Sequence, residues 1–270
     1  MPELPEVETI KRDLIPLFKE HPVIRSVTVC NPSSLSNPHC HTLKDLRVTH
    51  IERMGKYLIF SFDRQFFFTI HFRMSGSFFI REPSSPADIH DRVLLTTDGF
   101  IAAFHDQRKF GRITVESSLG QLQRKLGPDA LDDRLTSLNF HSICRSHSRM
   151  IKPFLLDQKV VCGLGNIYTD EILFAAKIHP GRKTDTLTRA ETDSIFFSMR
   201  RILNEGIKAR GTSLGDTDGN FQSGGGRGNY QHSLQVFQRK GELCRRCKSV
   251  IIATSVGGRT THLCPYCQKP

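Results

Sequence analysis

The sequence predicts an α+β chain of several domains. Three observations carry that prediction: short β-prone runs in the first half, helical apolar spacing in the second, and a four-cysteine pattern at the end. Ahead of the first run, Val7, Ile10 and Leu14 recur at helical spacing, with Pro5 suited to a first turn and Pro16 marking the expected stop. From 23 to 115 the pattern changes to runs at 23–29, 57–62, 66–71, 93–97, 100–104 and 113–115, separated by turn signals such as Asp98-Gly99. That spacing indicates a β-sandwich or barrel. Residues 117–134, with Gly120, Gly127-Pro128 and an acidic cluster, read as a linker. From 135 to about 210 the chain is helical: Ile167, Glu171, Phe174 and Ile178 form one stripe, and Ile195, Met199, Ile202 and Leu203 another, both suited to a core. Gly163-Leu164-Gly165-Asn166 separates these helices and sets Asn166 at a helix start, where backbone amides can receive a phosphate, although glycine turns before helices are commonly structural. The Gly/Ser-rich stretch 211–229 suits a disordered linker or a lid over a site.

The cysteines divide into two groups. Cys30, Cys40, Cys144 and Cys162 are scattered, whereas Cys244, Cys247, Cys264 and Cys267 form two CxxC pairs sixteen residues apart. Each pair can turn two thiolates onto one ion, and the spacer, β-prone at 250–254 with Gly257-Gly258 for a turn, suits a hairpin that returns the second pair. Four thiolates leave no open position, so the pattern predicts one structural zinc rather than a catalytic one, with a pair of disulfides as the alternative. Arg245, Arg246, Lys248 and Arg259 make this ribbon basic, and its small core suits it to presenting phosphate contacts.

Charge is distributed as unevenly as the cysteines. Residues 1–133 carry 17 Lys and Arg against 17 Asp and Glu, while residues 134–270 carry 21 against 10, so the whole excess of +11 lies in the second half. A clustered basic surface suits a polyanion such as nucleic acid; an anionic membrane or a solvated basic face would give the same count. The acidic first twenty residues do not suit a signal peptide, and no 18-residue apolar run occurs, which predicts a soluble intracellular protein. The opening Met1-Pro2-Glu3 has chemical potential of its own. Removal of the initiator methionine ahead of a small residue leaves a secondary amine, whose pKa near ~8 keeps a usable fraction uncharged. Such an amine can attack an electrophilic carbon and form a Schiff base while the adjacent acid moves protons. Met-Pro is also a common start without any such role.

Several motifs then follow in one order: the opening through Glu8, Gly55-Lys56-Tyr57-Leu58, His71 with Met74-Ser75-Gly76, His90-Asp91, Arg108-Lys109-Phe110-Gly111, Ile151-Lys152-Pro153, the run 163–168, and the ribbon ending Cys264-Pro265-Tyr266-Cys267-Gln268. This set, spanning nearly the whole chain, resembles the formamidopyrimidine-DNA glycosylase family. Pro-Glu-Leu-Pro is similar to the purine-directed branch rather than the endonuclease-eight branch. The resemblance implies an N-terminal β-sandwich with a catalytic N-terminal helix (1–116), a linker (117–134), a helix-two-turns-helix DNA-binding domain (135–222), a lid or linker segment (223–234) and a zinc ribbon (235–270), with duplex DNA lying in the cleft. It implies a bifunctional glycosylase and AP lyase that excises oxidised purines through a Schiff base on Pro2 and then cleaves the strand by β,δ-elimination. Glu3 would be the acid or proton shuttle, and Lys56 and Arg259 would serve elimination and phosphate binding. Met74, Arg108 and Phe110 would fill the hole left by the flipped nucleotide as plug, cytosine contact and wedge. His71, His90, His147, Lys152 and Asn166 would contact DNA, and residues 213–230 would close over the base. A monomeric, cytoplasmic bacterial enzyme acting on the nucleoid, without membrane contact, is further implied.

The chain also departs from that family pattern. Arg73 stands where a glycine commonly precedes Met74, Arg92 replaces a frequent histidine, His147 occupies a commonly basic position, and Gln238 and Lys248 replace usual glycines. Two of these changes are expected to add charge beside the DNA. Two other functions fit parts of the sequence: a glycosylase of the same fold acting on oxidised pyrimidines, and a noncatalytic zinc-ribbon DNA-binding protein, which accounts for charge and cysteines but not for Pro2-Glu3.

Overall fold

The computed structural model describes residues 2–32, 42–213, 222–223 and 226–270, which form two compact units. Unit one comprises Met1–Gln123 with Ile207–Gln231, and unit two Arg124–Gly206 with His232–Pro270.

The first unit is a sandwich of two antiparallel four-stranded sheets. Strands β1 (Ser26–Val29), β6 (Asp91–Thr96), β7 (Ile101–Asp106) and β5 (Gly76–Arg81) form one sheet, in that order. The other runs β2 (Val48–Met54), β3 (Tyr57–Phe62), β4 (Phe67–His71) and β8 (Arg112–Glu116). The chain has no tryptophan but 19 phenylalanines, and Phe60, Phe68, Phe72, Phe78 and Phe104 fill the space between the sheets. Their rings meet edge to face or tilted at 5.8–6.2 Å, the arrangement that aromatic quadrupoles favour. Helix α1 (Leu4–Glu20) lays Val7, Ile10, Leu14 and Phe18 against this core.

Pro16 does not end α1 as its position in the sequence suggests. The helix continues for another turn because Phe18 is buried against Phe60 and Phe100, with ring centroids at 5.4 and 5.0 Å. Pro16 and Arg12 both lie on the exposed face, so the carbonyl that proline cannot bond faces water.

The second unit is helical with the ribbon attached. Helices α3 (Ser137–Arg145), α4 (Ile151–Leu156), α5 (Asn166–Ala175) and α6 (Arg189–Lys208) follow one another, and Ile195, Met199, Ile202 and Leu203 are buried as their spacing indicates. The stretch expected to be only linker carries α2 (Gly120–Lys125). Helix α5 is buried all round; its Glu171 accepts the backbone N–H groups of Gln235, Val236 and Phe237 at 2.8–2.9 Å, which seats the chain entering the ribbon. Strands β11 (Ile252–Val256) and β12 (Arg259–Leu263) form the ribbon hairpin. Gly257 and Gly258 make its two-residue turn, both at positive φ (58° and 74°), which a type I′ turn demands. No described helix is long and apolar enough to cross a membrane.

Candidate functional site

Pro2 is buried at the foot of α1, and Glu3 and Glu6 each retain only 1% of their surface. The Glu3 N–H donates to Glu6 Oε2 at 2.8 Å, and the Thr212 N–H donates to Glu6 Oε1 at 2.8 Å. One carboxylate thereby joins the backbone beside Pro2 to the base of the 211–229 stretch. Gly211 makes this close approach: at φ 82°, a Cβ there would lie 2.8 Å from Glu6 Cγ. The stretch is pinned at its other end by Tyr230 N–H to the Gly211 carbonyl at 3.0 Å, and Gly226–Arg227 (β10) pairs with Gln222–Ser223 (β9). The expected lid lies largely outside the described residues, at 214–221 and 224–225.

Lys56 belongs to the Gly55-Lys56 turn between β2 and β3 and is buried. Its placement is tied to α1. Glu8 Oε2 accepts Arg53 Nε at 3.0 Å, and Arg53 Nη1 donates to the Gly55 carbonyl at 3.1 Å. Burial pushes the Glu8 carboxyl up, yet Lys11, Arg53 and Arg12 around it hold it below the ordinary glutamate value, so it remains the anion this arrangement needs.

The 71–76 and 106–111 loops bring His71, Met74, His90, Arg108 and Phe110 into one region of unit one. Asp106, fully buried, organises them: it accepts Ser75 Oγ, the Arg108 N–H at 3.2 Å and the Gly111 N–H at 2.7 Å, while its own N–H donates to the His90 carbonyl at 2.9 Å. Met74 and Phe110 are each 45% exposed, and the Arg108 guanidinium stands 5.1 Å over the Phe110 ring. His71 is pushed down to about 3, by burial first and then by the Arg73 and Lys56 charges, so it is neutral at physiological pH. Its Nδ1 accepts the Arg73 N–H at 3.1 Å, which leaves the ring proton on Nε2.

Arg92 departs from its expected setting. It is buried, its Nε donating to the Asp106 carbonyl at 2.8 Å and its Nη1 to the carbonyls of Ile89 and Asp91 at 3.2 Å. It braces the loop instead of presenting a charge at the surface.

In unit two, Arg259 opens β12 directly after the glycine turn and is exposed. Asn166 begins α5 with Gly165 as its N-cap, and its Nδ2 donates to the Thr260 carbonyl at 3.0 Å. His147 is half-buried, with Nδ1 at 2.9 Å from the Ile143 carbonyl and its ring edge-on to Phe154. Lys152 is set apart from the expected phosphate contacts: it has no exposed surface and is paired with Asp170 at 2.6 Å.

The four ribbon cysteines have their Sγ atoms within 4.8 Å of one another, with Cys244–Cys267 at 4.0 Å and Cys247–Cys264 at 3.4 Å. A tetrahedron with Zn–S bonds of about 2.3 Å has S···S edges near ~3.8 Å, so the set fits one structural zinc ion, held with no position left for water. The two CxxC turns are built alike. Lys248 N–H bonds the Cys244 carbonyl at 2.9 Å and Gln268 N–H the Cys264 carbonyl at 3.0 Å. Cys244 and Cys264 also pack with Phe174, Val236 and Ile251, and Arg246 lies 4.3 Å over the Phe174 ring.

Glu6, Asp106 and Asp170 are the residues that the sequence left unassigned. A signal existed only for Glu6, which stands in the first turn of the predicted helix. The other two act through loops and strands distant in sequence, and residue type alone does not mark them.

Three family models match successive parts of the chain: the formamidopyrimidine-DNA glycosylase N-terminal domain over residues 1–113, the H2TH domain of the same enzyme over 126–218, and a zinc finger found in FPG and IleRS over 241–270. Among curated proteins, the formamidopyrimidine-DNA glycosylase of Carboxydothermus hydrogenoformans is 36% identical with full coverage of both chains, and that of Pelotomaculum thermopropionicum is 38% identical, covering all of this chain and 99% of the other. Among solved structures, a Lactococcus lactis FPG variant in complex with a Fapy-dG-containing DNA matches with a TM-score of 0.90 at 34% identity, with full coverage of both chains. MutM in complex with a carbocyclic 8-oxo-G-containing DNA matches at 0.90 and 33%, again over both whole chains. With relatives more than a third identical from end to end, and family models covering the sandwich, the helices and the ribbon, the chain belongs to the formamidopyrimidine-DNA glycosylase family.

Proposed function

We propose that this chain excises oxidised purines, 8-oxoguanine and formamidopyrimidines, from duplex DNA and then cleaves the strand at the resulting abasic site. The observation that carries the reading is the foot of α1, where Pro2 and Glu3 are buried together at the positive end of a 17-residue helix. With Met1 removed, the terminus is an amine whose ordinary pKa near ~8 leaves a usable fraction uncharged, with the Glu3 carboxylate next to it to move protons. The nitrogen attacks C1′ of the flipped nucleotide, the C1′–N9 bond breaks with its electron pair leaving on the base, and Glu3 supplies the proton that base and ring opening require. The Schiff base that forms acidifies the C2′ proton. Its loss expels the 3′ phosphate, and a second elimination expels the 5′ phosphate.

Lys56 serves as a proton donor in elimination and as a phosphate contact, and Arg259 serves the later elimination and binds phosphate. Met74, Arg108 and Phe110 fill the vacated stack, and His71, His90, His147 and Asn166 hold the backbone. The zinc ribbon keeps Arg259 on a rigid hairpin. The solved relatives holding Fapy-dG and 8-oxo-G DNA support the purine assignment. Action as a monomer in the bacterial cytoplasm, without membrane contact, completes the proposal.

Borohydride reduction on an 8-oxoguanine duplex tests it. A covalent protein–DNA adduct is expected, absent in Pro2→Gly, from protein whose intact mass lacks Met1. Adduct formation undiminished in Pro2→Gly would remove Pro2 as the nucleophile, and preferred cutting of a thymine glycol duplex would overturn the purine assignment.

A further inference from the structure

Lys152 resembles the family's DNA contacts in sequence, yet its ammonium is directed into unit two. It pairs with Asp170 Oδ1 at 2.6 Å and donates to the Thr260 carbonyl at 2.9 Å. Asp170 Oδ2 accepts the His262 N–H at 2.9 Å. A single buried ion pair therefore bonds β12 at two residues on one side, a carbonyl through the cation and an amide through the anion. Asn166 reinforces the first of these from the start of α5. The turn beside them rests on α4, since a Cβ on Gly257 would come within 2.9 Å of Pro153.

Burying two charges is costly, and an apolar pair of equal volume often serves stability as well or better. An apolar pair would bond neither the Thr260 carbonyl nor the His262 amide. What these charges supply is a seat: they hold β12, whose first residue is Arg259, to α4 and α5 at two backbone groups.

We infer that Lys152 and Asp170 are a positioning pair that sets the Arg259 guanidinium for a DNA phosphate, acting through the Thr260 carbonyl and the His262 amide. The inference rests on the assignment of Arg259 as a phosphate contact. Lys152 then affects binding without touching DNA.

The salt dependence of duplex binding by the zinc-loaded full chain distinguishes these roles. Each lost phosphate contact lowers the slope of log K against log salt by about 0.9. Replacing both partners, as Lys152→Met with Asp170→Asn, leaves net charge unchanged, so the slope moves only if another cation has lost its phosphate. The expected result is a fall of about 0.9 in this double variant, the same fall in Arg259→Ala, and no further fall when all three changes are combined. An unchanged slope in the double variant, or an additional fall in the triple variant, would overturn the positioning role. An unchanged slope in Arg259→Ala would instead overturn the assignment of Arg259 itself. Zinc content and thermal midpoint identify variants that have kept their fold. If the double variant does not, Pro153→Ala removes the surface on which the same turn rests without altering any charge or straining the turn's backbone: a lowered slope supports the seat, and an unchanged one counts against it.

Discussion

His71 holds its ring proton on a defined nitrogen, which sets what it would offer a phosphate in the proposed contact. His71 accepts the Arg73 N–H at Nδ1, so its Nε2–H donates while the ring is neutral. His147 Nδ1 lies 2.9 Å from the Ile143 carbonyl and 3.0 Å from Ser146 Oγ, so either tautomer finds a partner there. A neutral donor releases no counterion, and His71→Gln is expected to weaken duplex binding with no change in salt slope. Acidity brings out the other side of the same burial. The unfolded chain protonates His71 below about 6.5, whereas the folded chain resists until about 3, so its contribution to stability is full above 6.5 and declines as pH falls across that interval. Relative to His71→Gln, the parent should lose on the order of 2 kcal/mol between pH 8 and pH 5, read from urea midpoints. Three departures from the family pattern share another property: Arg73, Gln238 and Lys248 sit at φ 54°, 57° and 67°, the left-handed region where a Cβ is strained. The commoner glycines relieve that strain, worth about 1 kcal/mol at each site. Arg73→Gly, Gln238→Gly and Lys248→Gly should each raise the thermal midpoint, and a lowered midpoint in any would show that its side chain contributes more than its backbone costs.

At the level of elements, strands with consecutive apolar residues were legible in sequence, and of the four edge strands β1 and β8 were read while β2 and β5 were not. Tyr57–Phe62 and Phe67–His71 lie inside their sheet and bury most of their residues. Two missed strands, Val48–Met54 and Gly76–Arg81, lie at sheet edges. The first exposes Thr49, His50 and Glu52 and has no continuous apolar run, and the second has only Phe78-Phe79-Ile80 between Gly76-Ser77 and Arg81. Proline was over-weighted for the opposite reason. Its cost at position 16 is local, while the burial of Phe18 that overrides it depends on strands more than forty residues away. The ribbon hairpin was fully legible because cysteines and glycines fix it by covalent reach and turn geometry. The loops bearing Met74, Arg108 and Phe110 were legible as motifs, but not the carboxylate joining them. Since Asp106 bonds both loops, Asp106→Asn should misplace plug and wedge together. Loss of one charge-assisted bond, about 1.5–3 kcal/mol, corresponds to excision slowed about 10- to 100-fold on a lesion duplex. Borohydride capture of a single-stranded abasic site, where no stack has to be refilled, should stay near the parent level; equal losses in both assays would mean that Asp106 supports the fold in general.

For the molecule as a whole, charge and metal belong to the same half. The entire basic excess lies beyond residue 133, and the ribbon's small core, Val236, Cys244, Ile251 and Cys264 with Phe174, includes two of the zinc thiols. Stripping the zinc with a chelator should therefore lower the calorimetric transition of the second unit and reduce the salt slope of DNA binding by at least about 0.9, while the sandwich transition stays in place. A shift of both transitions together would show that the units do not melt separately. The buried position of Pro2 has its own consequence, in time rather than in energy. An aminopeptidase must take the first residues in extended form, but here residues 2–10 are buried, Val7 and Ile10 in the sandwich core and Glu6 against Gly211 and Thr212. The unit is completed only by residues 207–231, whose Thr212 N–H bonds Glu6, so the time for removing Met1 is expected to end when that segment folds back, roughly ten to fifty seconds after the terminus emerges at ordinary elongation rates. If the proposed role of Pro2 holds, chains that keep Met1 are inactive, and the fraction lacking Met1 by intact mass should equal the fraction that borohydride can trap.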